Sequence, residues 1–211
     1  YNVKLNLNNI INTLKDVKGY LFPVKKLYSK FKKINTLEEL KAFIQERSAH
    51  VTQTTLYGYI KTRIGSRYAM MFEDKVFSQS INIAKWNIYM SALSDCTLYT
   101  FSFLIAEKNL RDNEAKKTYL SILNSERQNG LDNKLLEDSI LNFNRRLENI
   151  DWYNYYKTKP FLESSLSLYK WSPIADELKQ LDKEIVLNSI KLKWNIVENE
   201  FKEFTKTLYF N

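Results

Sequence analysis

The chain has 211 residues, a formal net charge of +8, 44% hydrophobic residues and 14% aromatic residues. This apolar content is ample for one sizeable core and excludes a wholly disordered chain. With 4 glycines and 3 prolines, the chain has too few turn residues for a β-sandwich or a Rossmann-type sheet, whereas long helices need few of either. The composition therefore favours an all-α fold.

The positive charge is concentrated at one end of the chain. Residues 1–36 contain eight lysines and one aspartate, while the other 175 residues contain 24 basic and 23 acidic side chains. No linker rich in Gly, Pro or Ser divides the sequence. These features predict a basic N-terminal extension at residues 1–35 and a single-domain helical bundle of about five to six helices at residues 36–211.

The basic segment combines lysines with apolar side chains between residues 20 and 34. Leu27, Phe31 and Ile34 would share one face of a helix. The lysines predicted to bind an anionic membrane or an anionic partner are Lys25, Lys26, Lys30, Lys32 and Lys33. Such a segment can lie on an anionic membrane surface, where each lysine adds about 1 kcal/mol. The alternative is a solvated arm that packs its few apolar residues on the bundle.

The first helix of the bundle is predicted to begin at Thr36, because Glu39 has the spacing that completes a capping box. Gly65 can close this helix. Lys61 and Arg63 lie in its last turn, where cations suit the helix dipole. The positions expected to face the core are Leu37, Leu40, Ile44 and Val51.

Polar and aromatic side chains recur every three or four residues along another face of this helix. We interpret them, with their neighbours, as a candidate wall of a ligand site. This polar wall consists of Arg47, His50, Gln53, Tyr57, Lys61, Arg63, Arg67 and Tyr68. The alternative is that these side chains hydrogen-bond to neighbouring helices or face water.

A second helix is predicted over about residues 70–108, and it is apolar on nearly every side. A helix without a polar face either occupies the centre of a bundle or spans a membrane. Asp95 would lie near the middle of such a span, where a charge costs about 3 kcal/mol. We therefore expect a buried central helix. Cys96, the single cysteine, would be a small core residue in it, and its isolation fits a reducing compartment.

Two shorter helices are predicted over residues 112–128 and 132–150, with Arg145 and Arg146 of the second facing outward. Residues 151–161 follow, and their aromatic side chains lie close in sequence to Lys157 and Lys159. Aromatic rings interleaved with lysines can stack the bases of single-stranded nucleic acid. The alternative is a loop whose rings plug the end of the bundle.

The last part of the bundle is predicted to contain a short helix at residues 162–171 and a long one that ends near residue 208. Ser172 and Pro173 have the pattern of an N-cap and a first helical residue for the long helix. Two adjoining apolar stripes of this helix are expected to face the interior. The first consists of Leu178, Leu181, Ile185, Leu192 and Ile196, and the second of Val186, Ile190, Val197, Phe201, Phe204 and Leu208.

The sequence offers little catalytic or metal-binding chemistry. One histidine and one cysteine cannot build the usual zinc sites. A glycine-rich phosphate loop and a Gly-x-Ser-x-Gly nucleophile elbow are both absent. A serine hydrolase would have to use His50 as its base, with Ser66 or another serine as nucleophile. We predict no catalytic residue, no metal and no cofactor.

Several short motifs follow one another between residues 36 and 200. They are Gln53-Thr54-Thr55-Leu56-Tyr57-Gly58-Tyr59, then Lys61, Arg63, Gly65, Arg67 and Tyr68, then Phe72-Glu73-Asp74, Ser80, Asn82, Ala84 and Lys85, then Pro173-Ile174-Ala175, Glu177-Leu178, Ile185-Val186 and Asn188-Ser189. This order resembles an uncharacterised family of α-proteobacterial proteins, some of which carry an automatic esterase label. The resemblance implies a bacterial, intracellular setting, and it supplies no catalytic residues.

Three functions are compatible with this sequence. The leading hypothesis is a non-enzymatic binding or scaffold module in the bacterial cytoplasm, held on the inner membrane or on a membrane-bound complex by its basic segment. The second is a small esterase-like hydrolase that works from the polar wall around His50. The third is a nucleic-acid-binding protein, which the nearly neutral bundle disfavours. No cleavable signal peptide is visible, and because Tyr1 is not a methionine we expect residues to precede it.

Overall fold

A computed structural model describes residues 33–210 of the chain, of which 79% are helical and none lies in a strand. Six helices of ten or more residues form the bundle: α1 (Leu37–Ile64), α2 (Lys75–Lys108), α3 (Ala115–Arg127), α4 (Asn133–Glu148), α5 (Leu162–Trp171) and α6 (Asp176–Phe204). Shorter helical pieces lie at Gly65–Arg67, Tyr68–Met71 and Tyr155–Lys157. The prediction of an all-α, single-domain helical bundle is confirmed.

Local signals in the sequence set both ends of α1. The Thr36 hydroxyl accepts a hydrogen bond from the Glu39 amide at 3.1 Å, and the Glu39 carboxylate accepts one from the Thr36 amide at 3.0 Å. This reciprocal capping box is the predicted one. Gly65 ends the helix at a φ of 63°, a backbone conformation that favours glycine. Leu37, expected in the core, is instead exposed, because the first turn of α1 lies at the rim of the bundle.

The second long helix starts five residues later than predicted. The Asp74 carboxylate accepts hydrogen bonds from the amides of Val76 and Phe77 at 2.8 and 3.1 Å. Asp74 is therefore the N-cap, and α2 begins at Lys75. At its other end the helix stops at Lys108, because the next residue, Asn109, adopts a left-handed φ of 60°.

The centre of the bundle is α2, which contacts α1, α3, α4 and α5. By length and composition it is the one helix among residues 33–210 that is long and apolar enough to cross a membrane. Its most apolar stretch is 89% buried inside the bundle. A central helix of a bundle passes the same test of length and composition, and the burial agrees with the predicted central position.

Two ring stacks hold the second half of the chain on this centre. Tyr119 of α3 stacks on Phe143 of α4 with ring centroids 3.9 Å apart. Phe161, at the start of α5, stacks on Trp194 of α6 with centroids 4.2 Å apart. Such pairs contribute about 0.5–1.5 kcal/mol each beyond the area that they bury.

Helix α5 has its predicted bounds, whereas α6 does not. The Ser172 hydroxyl donates a hydrogen bond to the carbonyl oxygen of Leu168 at 2.6 Å, so it completes α5 instead of capping α6. The last helix begins at Asp176, preceded by Ala175, and ends at Phe204. The prediction of an N-cap at Ser172 was therefore wrong, because a hydroxyl at a helix end can serve either neighbour.

Only one of the two apolar stripes of α6 faces the interior. Val186, Ile190, Val197 and Phe201 are buried, and Trp194 is buried with them. The other predicted stripe, Leu178, Leu181, Ile185, Leu192 and Ile196, is exposed. The expectation that both stripes face the core was wrong, because α6 packs on α1 and α5 along one side of the bundle and its far side has no neighbour among residues 33–210.

The described chain begins and ends at the same end of the bundle. The Ile34 amide donates a hydrogen bond to the carbonyl oxygen of Phe204 at 3.1 Å, and the Phe210 amide donates one to Lys108 at 3.0 Å. The Ile34 side chain is 2% exposed and belongs to the core. The bundle therefore includes Ile34, two residues before the predicted boundary at residue 36.

Candidate functional site

Two arginines of the polar wall join α1 to α6. The Arg47 guanidinium lies 2.6 Å from the Glu200 carboxylate and packs over the ring of Phe43. The Arg63 guanidinium donates two hydrogen bonds to the Asp182 carboxylate. These hydrogen bonds lower the pKa of Asp182, since they favour its charged form. Both arginines thus make contacts between helices, as in the alternative interpretation of the wall.

The other members of the polar wall lie in different environments. Gln53, Tyr57 and Tyr68 are buried, and burial raises the pKa of the Tyr68 phenol to about 12. Lys61 and Arg67 are exposed. The eight side chains therefore do not line one concave surface: three lie in the interior, two bridge helices, two face solvent, and His50 lies between.

His50 is half-buried, and its pKa is lowered by burial and by the charges of Lys193 and Arg47. Its surroundings therefore favour the neutral imidazole. Ser66 follows the end of α1, roughly 20 Å along the helix axis from His50. The hydrogen bond at His50 is made by its backbone, whose carbonyl oxygen accepts from the Thr54 hydroxyl at 2.8 Å. His50 and Ser66 are therefore not brought together as a base and a nucleophile.

Asp95, in the middle of α2, is a fully buried carboxylate at 0% exposure. Arg146 of α4 places Nη2 2.7 Å from Oδ1 of this carboxylate. The Ser164 amide of α5 donates a hydrogen bond to the other oxygen at 2.8 Å. Arg146 was expected to face outward; that expectation was wrong, because a buried carboxylate needs an opposite charge and α4 supplies it.

Several further hydrogen bonds extend this polar network. Arg146 donates to the Ser94 hydroxyl at 2.6 Å and to the Tyr155 hydroxyl at 2.5 Å. Tyr155 in turn donates to the carbonyl oxygen of Pro160 at 3.0 Å. The Trp194 indole donates to the Ser164 hydroxyl at 3.0 Å. The network around this ion pair thereby links α2, α4, α5, α6 and the aromatic loop at residues 151–161.

Burial and the opposite charge act against each other in this pair. It raises the pKa of Asp95 to about 6, although Arg146 and the Ser164 amide both favour the charged carboxylate. The pKa of Arg146 is raised: burial acts against its charge, but the Asp95 carboxylate outweighs it. At neutral pH both groups are charged. Their chemical role is to pair with each other, since the carboxylate has no access to solvent.

A second buried carboxylate, Glu126, ties α3 to α1 and α2. It accepts hydrogen bonds from the Tyr89 hydroxyl at 2.9 Å, from the Gln45 amide at 3.0 Å and from the Asn129 amide at 2.8 Å. Nearby Lys85 is buried, and burial lowers its pKa to about 8 while the Glu126 charge acts in the opposite direction. This cluster is a structural counterpart of the Asp95 pair.

The aromatic loop at residues 151–161 is built into the bundle. The Ser102 hydroxyl donates to the Trp152 carbonyl at 2.7 Å and accepts from the Tyr156 amide at 3.0 Å. Tyr155 is engaged with Arg146, and Tyr153 is exposed. These contacts agree with the alternative to base stacking, namely a loop whose aromatic rings close the end of the bundle.

Two depressions of about 580 and 610 Å³ lie at the end of the molecule where α2 ends. The first is bordered by Arg111, Trp152 and Tyr209, and the second by Ile34, Leu40 and Phe210. No member of the polar wall lines either of them. Across residues 33–210, no three His, Cys, Asp or Glu side chains are grouped as metal ligands.

Two surface features remain as candidate binding sites. Of the five lysines assigned to an anionic surface, Lys33 is exposed, while Lys25, Lys26, Lys30 and Lys32 lie outside the described residues. The second feature is the exposed row on α6, hereafter the α6 stripe: Leu178, Leu181, Ile185, Leu192 and Ile196. Sequence periodicity identified this row and assigned it to the wrong environment.

Comparison of this chain with protein-family models, with curated proteins and with solved structures finds no match. The resemblance to an α-proteobacterial family therefore stays a prediction. The function has to be inferred from the fold and from the two exposed features.

Proposed function

We propose that the protein is a non-enzymatic helical scaffold, recruited to an anionic membrane surface or a membrane-bound complex by its basic N-terminal segment. The observation that carries the proposal is the charge distribution: eight of the 32 basic residues, against one of the 24 acidic residues, lie in the first 36 positions. A segment of this kind gains about 1 kcal/mol per lysine near anionic lipid. In a bacterial cell this surface would be the cytoplasmic face of the inner membrane.

The way in which the segment joins the bundle supports this role. Lys33 is exposed, and the next residue, Ile34, is buried against the last helix. The segment is thus attached to a rigid point of the core, at the end of the bundle that carries both depressions. A membrane contact made through residues 1–33 would hold that end of the bundle near the lipid.

The state of the polar side chains also favours a scaffold over a hydrolase. Arg47 and Arg63 of the polar wall are engaged between α1 and α6, and the buried carboxylates of Asp95 and Glu126 pair with groups of the bundle. If His50 is the base of an esterase, the wild type should hydrolyse esters and the His50→Ala variant should not. A panel of ester substrates on the wild type and His50→Ala tests that alternative directly.

Co-sedimentation with vesicles tests the recruitment. The comparison is between the full chain and a chain that begins at Lys33, which keeps Ile34 in the core. We expect the full chain to sediment with vesicles that contain anionic lipid, and to remain in solution with neutral ones. The shortened chain should remain in solution with both. Equal sedimentation of the two chains with anionic vesicles would refute the proposal.

A matched variant separates charge from apolar insertion. Replacing Lys25, Lys26, Lys30 and Lys32 by glutamine keeps the length and the apolar residues of the segment. We expect this variant to lose most of the binding, and the binding of the wild type to weaken with added salt, because the attraction is screened. The wild type could instead bind single-stranded nucleic acid with a steep salt dependence and fail to sediment with the vesicles. In that case nucleic-acid binding would replace membrane recruitment as the function.

A further inference from the structure

The α6 stripe is an apolar row on an otherwise charged outer surface. Its members are each more than one-third exposed, and Leu181 reaches 77%. The row runs from Leu178 to Ile196, a rise of roughly 27 Å along the helix. Isolated apolar side chains on a surface need no explanation, but a continuous row along one helix face indicates a contact with another molecule.

The stripe is complementary to itself when two copies of α6 run antiparallel. With a two-fold axis beside Asn188, Leu181 faces the partner's Ile196 and Ile185 faces the partner's Leu192. All four apolar layers of the contact are then filled by aliphatic side chains. The reverse orientation would place Leu178 against the partner's Leu178 and Asn188 against the partner's Asn188, but each edge of one helix would then face the opposite edge of its partner.

The edge charges favour the antiparallel arrangement. Glu184 and Lys191 are exposed and lie seven residues apart, on one side of the stripe. In an antiparallel pair this side of one helix meets the same side of the other, so Glu184 comes within two positions of the partner's Lys191, and the reverse. Glu177 and Lys202 repeat this relation farther out. Four pairs of opposite charges therefore meet along this edge of the contact, as in coiled coils whose flanking charges select the partner.

Asn188 lies where the two copies would cross. It is exposed and interrupts the apolar row at its centre. A single asparagine in an apolar helix contact can fix register and orientation, since it is satisfied only by its counterpart. The stripe, its edge charges and Asn188 thus share one centre of symmetry.

We propose that the α6 stripe is a homodimer interface, in which two copies of the protein pack antiparallel through α6 about an axis at Asn188. One helix from each copy makes a contact smaller than that of a permanent dimer, so the dissociation constant should be on the order of micromolar. The dimer would carry two basic segments, one at each end.

Sedimentation velocity over a range of concentrations tests the dimer. We expect the full chain to change from the mass of one copy, 25.1 kDa, to twice that mass as concentration rises. Ile185→Glu should keep it monomeric. The control is Leu141→Glu, at an exposed apolar position of α4 outside the stripe; this variant should dimerise as the wild type does. A wild type that stays monomeric, or a dimer that survives Ile185→Glu, would overturn the proposal.

Charge reversal tests the orientation. Glu184→Lys and Lys191→Glu each place two like-charged pairs in the antiparallel dimer and should weaken it about five- to ten-fold. The double variant restores opposite charges and should dimerise as the wild type does. If the double variant were weaker than both single variants, the antiparallel contact would be wrong.

Cross-linking locates the axis. Under mild oxidation Asn188→Cys should form a disulfide-linked dimer, because this position faces its own counterpart, while Leu178→Cys should not. Efficient linkage through position 178 would indicate a parallel contact and overturn the arrangement. The arrangement would also be overturned if the full chain stayed monomeric and a chain without residues 1–32 dimerised. That result would show that the basic segment covers the stripe in the full chain.

Discussion

The Arg146 guanidinium lies 2.7 Å from the Asp95 carboxylate and neutralises a charge that is 0% exposed. This pair links the central helix to α4, and through Ser164 and Trp194 to the last two helices. The bundle is therefore held together at its centre by an ion pair as well as by apolar contacts.

We predict that Asp95→Asn lowers the free energy of unfolding by about 3–5 kcal/mol, because Arg146 then stays buried without an opposite charge. Urea denaturation measures the loss. The control is Arg145→Gln, at an exposed position beside Arg146, which should change stability by less than about 0.5 kcal/mol. Replacing both partners, as in Asp95→Leu with Arg146→Met, should cost less than the single change. Similar losses in Asp95→Asn and Arg145→Gln would show that the pair contributes little.

Lys85 makes the stability depend on pH in the alkaline range. Burial lowers its pKa from 10.5 to about 8 in the native protein. The native state therefore binds this proton less tightly than the unfolded chain does, and the contribution of Lys85 is lost as pH falls through 8. We predict that wild type gains roughly 1–3 kcal/mol of stability relative to Lys85→Met between pH 8 and pH 10.

Denaturation of both proteins at several pH values between 8 and 10 measures this gain. Taking the difference between them cancels the other titrating groups, which the two proteins share. A difference that is constant with pH, or that falls as pH rises, would contradict the lowered pKa.

The two faces of α6 should respond differently to the same substitution. Ile190 is 0% exposed and Ile185 is 69% exposed. We predict that Ile190→Ala costs about 2–5 kcal/mol, because it leaves a cavity, and that Ile185→Ala costs less than about 0.5 kcal/mol in dilute protein. Thermal and urea denaturation of the monomer measure both. Equal costs would mean that α6 is rotated from the orientation described here.

The position of Ile34 in the core leads to a prediction on chain length. A chain that begins at Lys33 retains the side chain of Ile34 and its hydrogen bond to Phe204, whereas a chain that begins at Thr36 lacks both. We expect the shorter chain to be less stable by about 2–5 kcal/mol. Ile34→Ala in the longer chain is the matched point change and should account for most of the loss. A negligible effect of both changes would place Ile34 outside the core.

Local chemistry made much of the fold predictable. The capping box at Thr36, the glycine at position 65 and the paucity of turn residues are signals that depend on a few neighbouring residues, and the structure follows them. The start of α2 was missed although Asp74 is a good N-cap residue, because the apolar pattern extends past it toward Met70. At Ser172 two helix ends compete for one hydroxyl, and spacing along the chain does not decide between them.

Contacts between distant residues could not be predicted in this way. Asp95 in an apolar helix required a partner, but nothing local chose between Arg145 and Arg146, which lie 100° apart on α4. Both stripes of α6 are apolar, and the one that is buried is the one on which α1 and α5 pack. For the same reason the polar wall was recognised as a row on one helix, while its pairing with Asp182 and Glu200 emerged only from the packing of α6.

The hydrogen bond between Ile34 and Phe204 gives the molecule a mechanical property. A pull on residues 1–32 would act first on a side chain held inside the core, and so on the first and last helices at once. The basic segment would come away from the last helix only after the Ile34 side chain had left the core.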